Sequence, residues 1–378
     1  STISYAQKKE SPFQKEWQEI DSLILKNNLP KTALEKINAL YKKAQAKQLD
    51  AEMIKALIYR IGVQDKVQET NANSQVKELS SEISTTKNTA AKAILHAILA
   101  HTYMNEYYRN MWQINQRSKT VSFKKEDVNT WGQEDFIKAV NKNYTASLEP
   151  VQLLQTTPVS EMRAIIIEGN TPGLRPTLYD LLAHEALVYY KDPIEPVTNP
   201  AFVFTLNNPD IFSPADKFMN VQFHSEDSTS SSLKALKLFQ QLISFHQNDK
   251  TPNASIDVDI ERLQWVLRAS ILPQKESLYK NAIEYITVKY PDEIATEEAW
   301  YVLAQMLADK ADDKKNNNDS LNKYGLVKAK ELIEKGVYYL NLSSKGNTIS
   351  KYHIEAAIAF WHTNKADTKE KWEQINQK

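Results

Sequence analysis

Cysteine is absent from this 378-residue chain, and glycine occurs only seven times. Without cysteine there is no thiol nucleophile, no thiolate zinc site and no disulfide staple. Scarce glycine excludes folds rich in tight hairpins, which draw on it for positive-φ turn positions. Between Gly173 and Gly325 there is none at all. Charge of one sign is also missing: 47 Lys and Arg balance 47 Asp and Glu. Nucleic-acid binding announces itself by a basic excess, so nucleic acid is not an expected partner. No apolar run approaches the roughly 20 residues of a membrane-spanning helix. What remains is 42% apolar and 25% charged, an ordinary globular composition, and its length suits two or three domains or one elongated array.

Helical spacing fills that space. Ser11-Pro12-Phe13-Gln14 reads as a helix start with Ser11 as cap, before Trp17, Ile20, Leu23 and Ile24. A second start at Thr32 with Glu35 leads into Ala33, Leu34, Ile37, Leu40, Tyr41 and Ala44, and a third amphipathic segment runs from Glu52 to Val63. Residues 71–88 are polar and read as a surface helix or long connection. Thr89 to Trp112 reads as one long helix with small residues Ala90, Ala93, Ala97 and Ala100, and Gln133 to Leu148 as another. Character changes at Asp192. Five of the fourteen prolines fall between Pro193 and Pro214, interleaved with Phe202, Phe204 and Phe212, which predicts an ordered extended connection lying against helices. Helical spacing resumes over Leu233 to Phe245. Further on, Tyr279, Ile283 and Ile286, then Ala299, Trp300, Leu303, Ala304 and Leu307, follow the pattern of tetratricopeptide (TPR) hairpins with an imperfect period. Ala329 with Ile333 follows a polar insertion at residues 312–319, and segments 349–362 and 371–375 read as a last helix pair.

Few residues point to chemistry. Ala183-His184-Glu185-Ala186-Leu187 resembles the start of a zinc-peptidase helix, but the second ligand position is Val188, so the motif fails. His96 and His101 lie about 140° apart around a helix and share no ligand face. Asp257, Asp259 and Glu261 resemble the opening of a calcium loop. The turn and closing positions are Arg262 and Arg268, so an exposed acidic helix start is the better reading. Gly169-Asn170-Thr171-Pro172-Gly173 lacks the Lys-Ser/Thr of a phosphate loop and reads as a turn. No G-x-S-x-G elbow occurs. The Lys pairs at 8–9, 42–43, 124–125 and 314–315 are offset by acids and read as solvated faces. One stripe, Tyr103, Tyr107, Tyr108 and Trp112, is a candidate surface for a peptide or glycan, weighed against packing in the core. No catalytic residue, metal site or cofactor is expected.

The segment Leu174-Arg175-Pro176-Thr177-Leu178-Tyr179-Asp180-Leu181-Leu182-Ala183-His184-Glu185-Ala186-Leu187 is, in physical terms, a proline-led capping box ahead of an amphipathic helix. It also resembles a segment in the helical N-terminal region of large alpha-2-macroglobulin-like proteins of Bacteroidetes. The order before it is similar too: a long helix with a Tyr-Tyr pair, then Val128-Asn129-Thr130-Trp131, Phe136, Tyr144 and Ser147-Leu148. The likeness covers roughly residues 90 to 190, with Glu185 where the family pattern often has Arg. It implies an exported, envelope-associated protein whose later domains trap proteases. It carries no catalytic residue onto this chain, because the family thioester needs Cys. Arg175, Pro176, Thr177, Tyr179, Asp180 and His184 are then the structural residues of the motif.

The resulting expectation is an all-α, TPR-like superhelix of helical hairpins interrupted by one Pro-rich extended insertion. Its divisions are a flexible terminus (1–12), an N-terminal helical subdomain (13–191), the connection (192–232) and a C-terminal TPR-like subdomain (233–378). It would act as a non-enzymatic scaffold or docking region whose partners are other protein domains, chiefly downstream macroglobulin domains of the same polypeptide, or peptides and envelope proteins. The alternative is a stand-alone TPR-type peptide- or glycan-binding protein. Small Ser4 and Ala6 in Ser1-Thr2-Ile3-Ser4-Tyr5-Ala6-Gln7 match the tail of a secretory signal, in keeping with an extracytoplasmic home.

Overall fold

The computed structural model describes residues 11–67, 72–117, 126–166, 173–196, 202–227, 229–312 and 331–332. Among them the protein is all-helical, with thirteen α-helices, no strand and one isolated antiparallel bridge between Pro158 and Thr177. The helices are α1 (Gln14–Leu25), α2 (Pro30–Ala46), α3 (Asp50–Val67), α4 (Ala72–Thr85), α5 (Thr89–Asn115), α6 (Gln133–Ser147) and α7 (Val151–Thr156). They continue with α8 (Leu178–Lys191), α9 (Ala215–Phe218), α10 (Ser231–His246), α11 (Asn253–Ala269), α12 (Lys275–Lys289) and α13 (Thr296–Asp312). Of the predicted Ala329–Ile333 helix only residues 331–332 are described, and they are helical; the insertion past residue 312, the segments at 349–362 and 371–375, and most of the terminus and of the Gly169 loop fall outside the described residues.

Two compact units divide the chain: residues 1–168, 176–188 and 194–199 form the first, and 169–175, 189–193 and 200–378 the second. In the first unit α1 packs on α2, α2 on α3, α4 on α5, and α5 on α6. Its leading core joins Phe13, Trp17, Ile20, Ile37, Leu40, Ala44, Ala56 and Val63. Helix α5 begins at the cap Asn88, whose Oδ1 accepts from Ala90 N (2.9 Å) and Ala91 N (3.2 Å), satisfying donors that a helix start leaves orphaned. Buried Ala90, Ala93 and Ala100 line the helix, which kinks at Asn110 (φ −118°). In the second unit α10, α11, α12 and α13 pack in sequence, and α13 also meets α11. Tyr279, Ile283, Ile286, Trp300, Leu303 and Ala304 are all buried there.

Several boundaries correct the sequence reading. Helix α1 starts two residues after Pro12, with Ser11 Oγ accepting from Phe13 N (3.1 Å) in the turn before it. Helix α2 starts at Pro30 rather than beyond Thr32, because proline at the first position gives up a donor the helix would not use. The polar stretch 72–85 is a helix whose apolar side, Ala72, Val76 and Leu79, is buried. The Pro-rich connection is not wholly extended. A short 3-10 turn (Pro209–Phe212) and α9 interrupt it, and Leu206, Ile211, Phe212 and Phe218 are buried while Phe202 is exposed.

Scarce glycine is handled by other residues. Helix α2 ends in a Schellman turn: Gln48 takes the left-handed position (φ 53°), Leu49 N donates to Ala44 O (3.0 Å) and Gln48 N to Gln45 O (3.1 Å). Asn28 (φ 51°) serves the same purpose after α1. No described glycine has positive φ.

Candidate functional site

The aromatic stripe on α5 divides. Tyr103 and Tyr107, put forward as interaction residues, are buried. Tyr103 stacks on Trp131 (centroids 5.2 Å apart), Tyr107 tilts against Phe136 (5.9 Å), and Trp131 meets Phe136 edge-on (5.4 Å). Such a cluster is core, because ring pairs at these spacings add to the gain from burying their area. A polar chain crosses it: Gln133 Nε2 donates to Tyr107 OH (2.8 Å) and Glu195 O (2.7 Å), and Tyr107 OH donates to Asn115 Oδ1 (3.1 Å). Tyr108 and Trp112 are exposed, Trp112 at 79%, and with Met111 they form an apolar ridge near the end of α5. The failure for Tyr103 and Tyr107 is one of phase, since two residues of the stripe sit on the face that receives α6.

The 174–187 segment is a structural device in its geometry. Thr177 N donates to Asp180 Oδ2 (2.9 Å), Thr177 Oγ1 donates to the same oxygen (2.8 Å), and Asp180 N donates back to Thr177 Oγ1 (3.3 Å). That reciprocal box starts α8. The bridge Val159 N to Pro176 O (2.9 Å) and the bond Leu178 N to Thr157 O (2.9 Å) tie its entry to residues 157–159. His184 is buried, with Nδ1 2.8 Å from Asp180 O, one turn back. Tyr179 is buried too, and burial, reinforced by the charges of Asp180 and Glu149, pushes its phenol above the ordinary range. Arg175, half-exposed, reaches Asp257 Oδ2 (3.8 Å) and Glu261 Oε2 (3.7 Å) on α11, while Lys191 Nζ sits 2.6 Å from Glu261 Oε1.

The supposed acidic helix start at 257–261 is corrected. Helix α11 begins at Asn253, so these residues lie beyond its first turn, and Asp259 is buried. Arg262, fully buried, donates through Nε (2.9 Å) and Nη2 (2.6 Å) to Asp259 Oδ1, through Nη1 to Ile211 O and through Nη2 to Ser213 O (2.9 Å). Its guanidinium lies over the Phe218 ring, 4.1 Å from the centroid. Burial raises the Asp259 carboxyl and lowers the Arg262 guanidinium, each opposed by its partner. The pair clamps the Pro-rich connection to α11. An Asp and an Arg three apart on one helix were the visible signal, but Asp259 reads in sequence as part of an exposed helix start and Arg262 only as the residue that spoils a calcium loop.

The first unit holds a cleft of about 1070 Å³ walled by Ser11, Pro12 and Gln14, the turn into α3, Asn88 and residues from Ser160 to Ile166. Glu52 at its wall is buried and accepts from Ser11 Oγ (2.6 Å) and Trp17 Nε1 (2.7 Å). Asn88 Nδ2 donates to Asp50 Oδ2 (2.7 Å), and Lys55 Nζ lies over the Trp17 ring at 4.5 Å. The cleft unites residues far apart in sequence, which no local pattern predicts. Among the described residues no group of three His, Asp or Glu is arranged to hold a metal ion, and no helix is long and apolar enough to cross a membrane. His96 instead contacts Asn143 Oδ1 (2.8 Å), joining α5 to α6, and His101 contacts Asn105 on its own helix (3.2 Å).

No protein-family model matches the chain, and neither the curated proteins nor the solved structures contain a match to it.

Proposed function

We propose that this chain is a non-enzymatic helical docking region of a large, envelope-associated alpha-2-macroglobulin-like protein. Its contacts would be with other domains of the same polypeptide. The supporting observation is the role of the 175–184 segment: Thr177 and Asp180 cap a helix, His184 bonds to its own turn and Arg175 pairs with α11, so its polar groups are spent on architecture. The exposed ridge of Tyr108, Met111 and Trp112 is the surface offered for docking, since rigid aromatics carry large contact area at small entropic cost. An extracytoplasmic home belongs to this reading through the resemblance.

The test is calorimetric titration of the downstream domains, produced separately, onto the 378-residue chain. Binding that weakens at least about tenfold in a Tyr108→Ala/Trp112→Ala variant is expected, the size of one lost interface anchor. No binding, or binding indifferent to the ridge, overturns the docking surface. A second reading, a stand-alone TPR-type peptide- or glycan-binding protein, draws on the open cleft beside Glu52. Saturable binding of short peptides or oligosaccharides in that cleft, lost on Lys55→Ala, would favour it.

A further inference from the structure

Helix α13 opens on a turn with an unusual feature. Thr296 and Glu297 are buried, at 0% and 5% exposure, and among the described residues neither Thr296 Oγ1 nor either carboxylate oxygen of Glu297 has a hydrogen-bond partner. Buried polar groups are nearly always paired, and an unpaired buried carboxylate is among the most costly arrangements a core can hold. The backbone entering the turn is fixed nonetheless: Ala295 N donates to Asn253 Oδ1 (2.9 Å), Asn253 Nδ2 to Glu293 Oε2 (2.7 Å), and Thr296 N to Glu293 O (3.0 Å). Glu297 is therefore held inside.

The charged groups on the elements packed against α13 are engaged elsewhere. On α11, Asp259 and Arg262 pair with each other, and Gln264 Nε2 reaches Glu298 Oε1 (3.4 Å). Arg268 of α11 and Glu298 act on Tyr279 of α12, where Lys280 pairs with Glu284 (2.9 Å) and Lys289 lies over the Tyr285 and Tyr290 rings. In the connecting loop Glu293 holds Asn253. None of these stands behind the state of Glu297, whose carboxyl is pushed up to about 8 by burial.

We propose that the first turn of α13 is a proton-operated latch: it stays packed while the Glu297 carboxyl is neutral and releases when that carboxyl ionises. The direction follows from the two states. In the packed turn the proton is held up to about pH 8, whereas in an opened turn it leaves near the ordinary value of 4.5. Packing is thus fully favoured below about 4.5, weakens as pH rises towards 8, and weakens no further above it. The latch would loosen α13 from α11 and α12 across the neutral range without any change of partner.

Hydrogen exchange of the full chain between pH 5 and 9, followed in peptides covering residues 294–304, tests the latch. With intrinsic exchange rates divided out, the opening constant should rise about tenfold per pH unit up to about pH 8 and then level, the signature of one proton lost on opening. Glu297→Gln should make it flat, and Thr296→Val should leave the slope unchanged. The same slope in Glu297→Gln, or no slope in the wild type, overturns the latch. Carboxyl carbon NMR gives an independent reading. A Glu297 midpoint near 8 is expected, and a midpoint at the ordinary value for glutamate contradicts the latch even if the variant folds poorly.

Discussion

Two glutamates, one in each unit, are nearly equally buried and treated in opposite ways. Glu52 in the first unit is 4% exposed and receives two donors, Ser11 Oγ and Trp17 Nε1, each from a residue more than thirty positions away. Glu297 in the second unit is 5% exposed and receives none among the described residues. The second unit also commits a whole ion pair, Asp259–Arg262, to its interior, where desolvation offsets much of the Coulombic gain. The first unit spends buried charge on fastening helices together. The second holds charge in positions whose energy depends on a partner or a proton. Its helices are thus the ones through which substitution or pH should act most strongly.

Removing one member of the buried pair should have the largest effect. Arg262→Met leaves Asp259 buried without its cation and frees the carbonyls of Ile211 and Ser213, which should cost about 3–5 kcal/mol in urea unfolding. The double variant Arg262→Met/Asp259→Leu should recover most of that loss; if it does not, the pair is worth more than its desolvation and the contrast between the units weakens. Next is Glu297→Gln, whose effect depends on pH. The folded carboxyl sits near 8 against an ordinary 4.5, so the wild type loses stability as pH rises between them and the amide does not. The variant should match the wild type at pH 4.5 and exceed it at pH 9 by a few kcal/mol, with about 5 as the ceiling set by the linkage.

A smaller effect is expected in the first unit. Glu52→Ala leaves Trp17 Nε1 buried without its acceptor and should cost about 1–3 kcal/mol. A loss as large as that of Arg262→Met would erase the distinction drawn between the units. The smallest is a gain. Gly62 lies inside α3 with nothing within 4 Å of where a Cβ would stand, so Gly62→Ala should raise the melting temperature by an amount equivalent to about 0.5–1 kcal/mol. A loss there would mean that an added methyl group meets a neighbour.

Helix was legible because its signals are local. The apolar spacing through Trp17, Ile20 and Leu23 and through Ile37, Leu40 and Ala44 falls on residues that are buried. Starts were less legible. Ser11 and Thr32 carry cap-forming side chains, yet the caps fall at Phe13 and Leu29, two residues later in α1 and three residues earlier in α2. The stripe at 103–112 was legible as aromatic but not in its facing, because Tyr103 and Tyr107 fall on the face that receives α6 while Tyr108 and Trp112 fall on another. Spacing offered the i,i+3 relation of Asp259 and Arg262 but not their burial, and it offered nothing for Glu52 or the cleft. Their roles come from partners up to 51 positions away, such as Ile211 O for Arg262. The low glycine count excluded hairpins correctly, while the turns it left over are closed by Asn28 and Gln48.

The central claim, a docking region within a much larger envelope protein, is tested most directly by the mass of the native polypeptide. Antibodies raised against the 378-residue chain should detect, in the envelope fraction of the source cells, a band well above the 43.3 kDa of this chain. A single native species of 43.3 kDa, or one confined to the cytoplasmic fraction, would contradict the account.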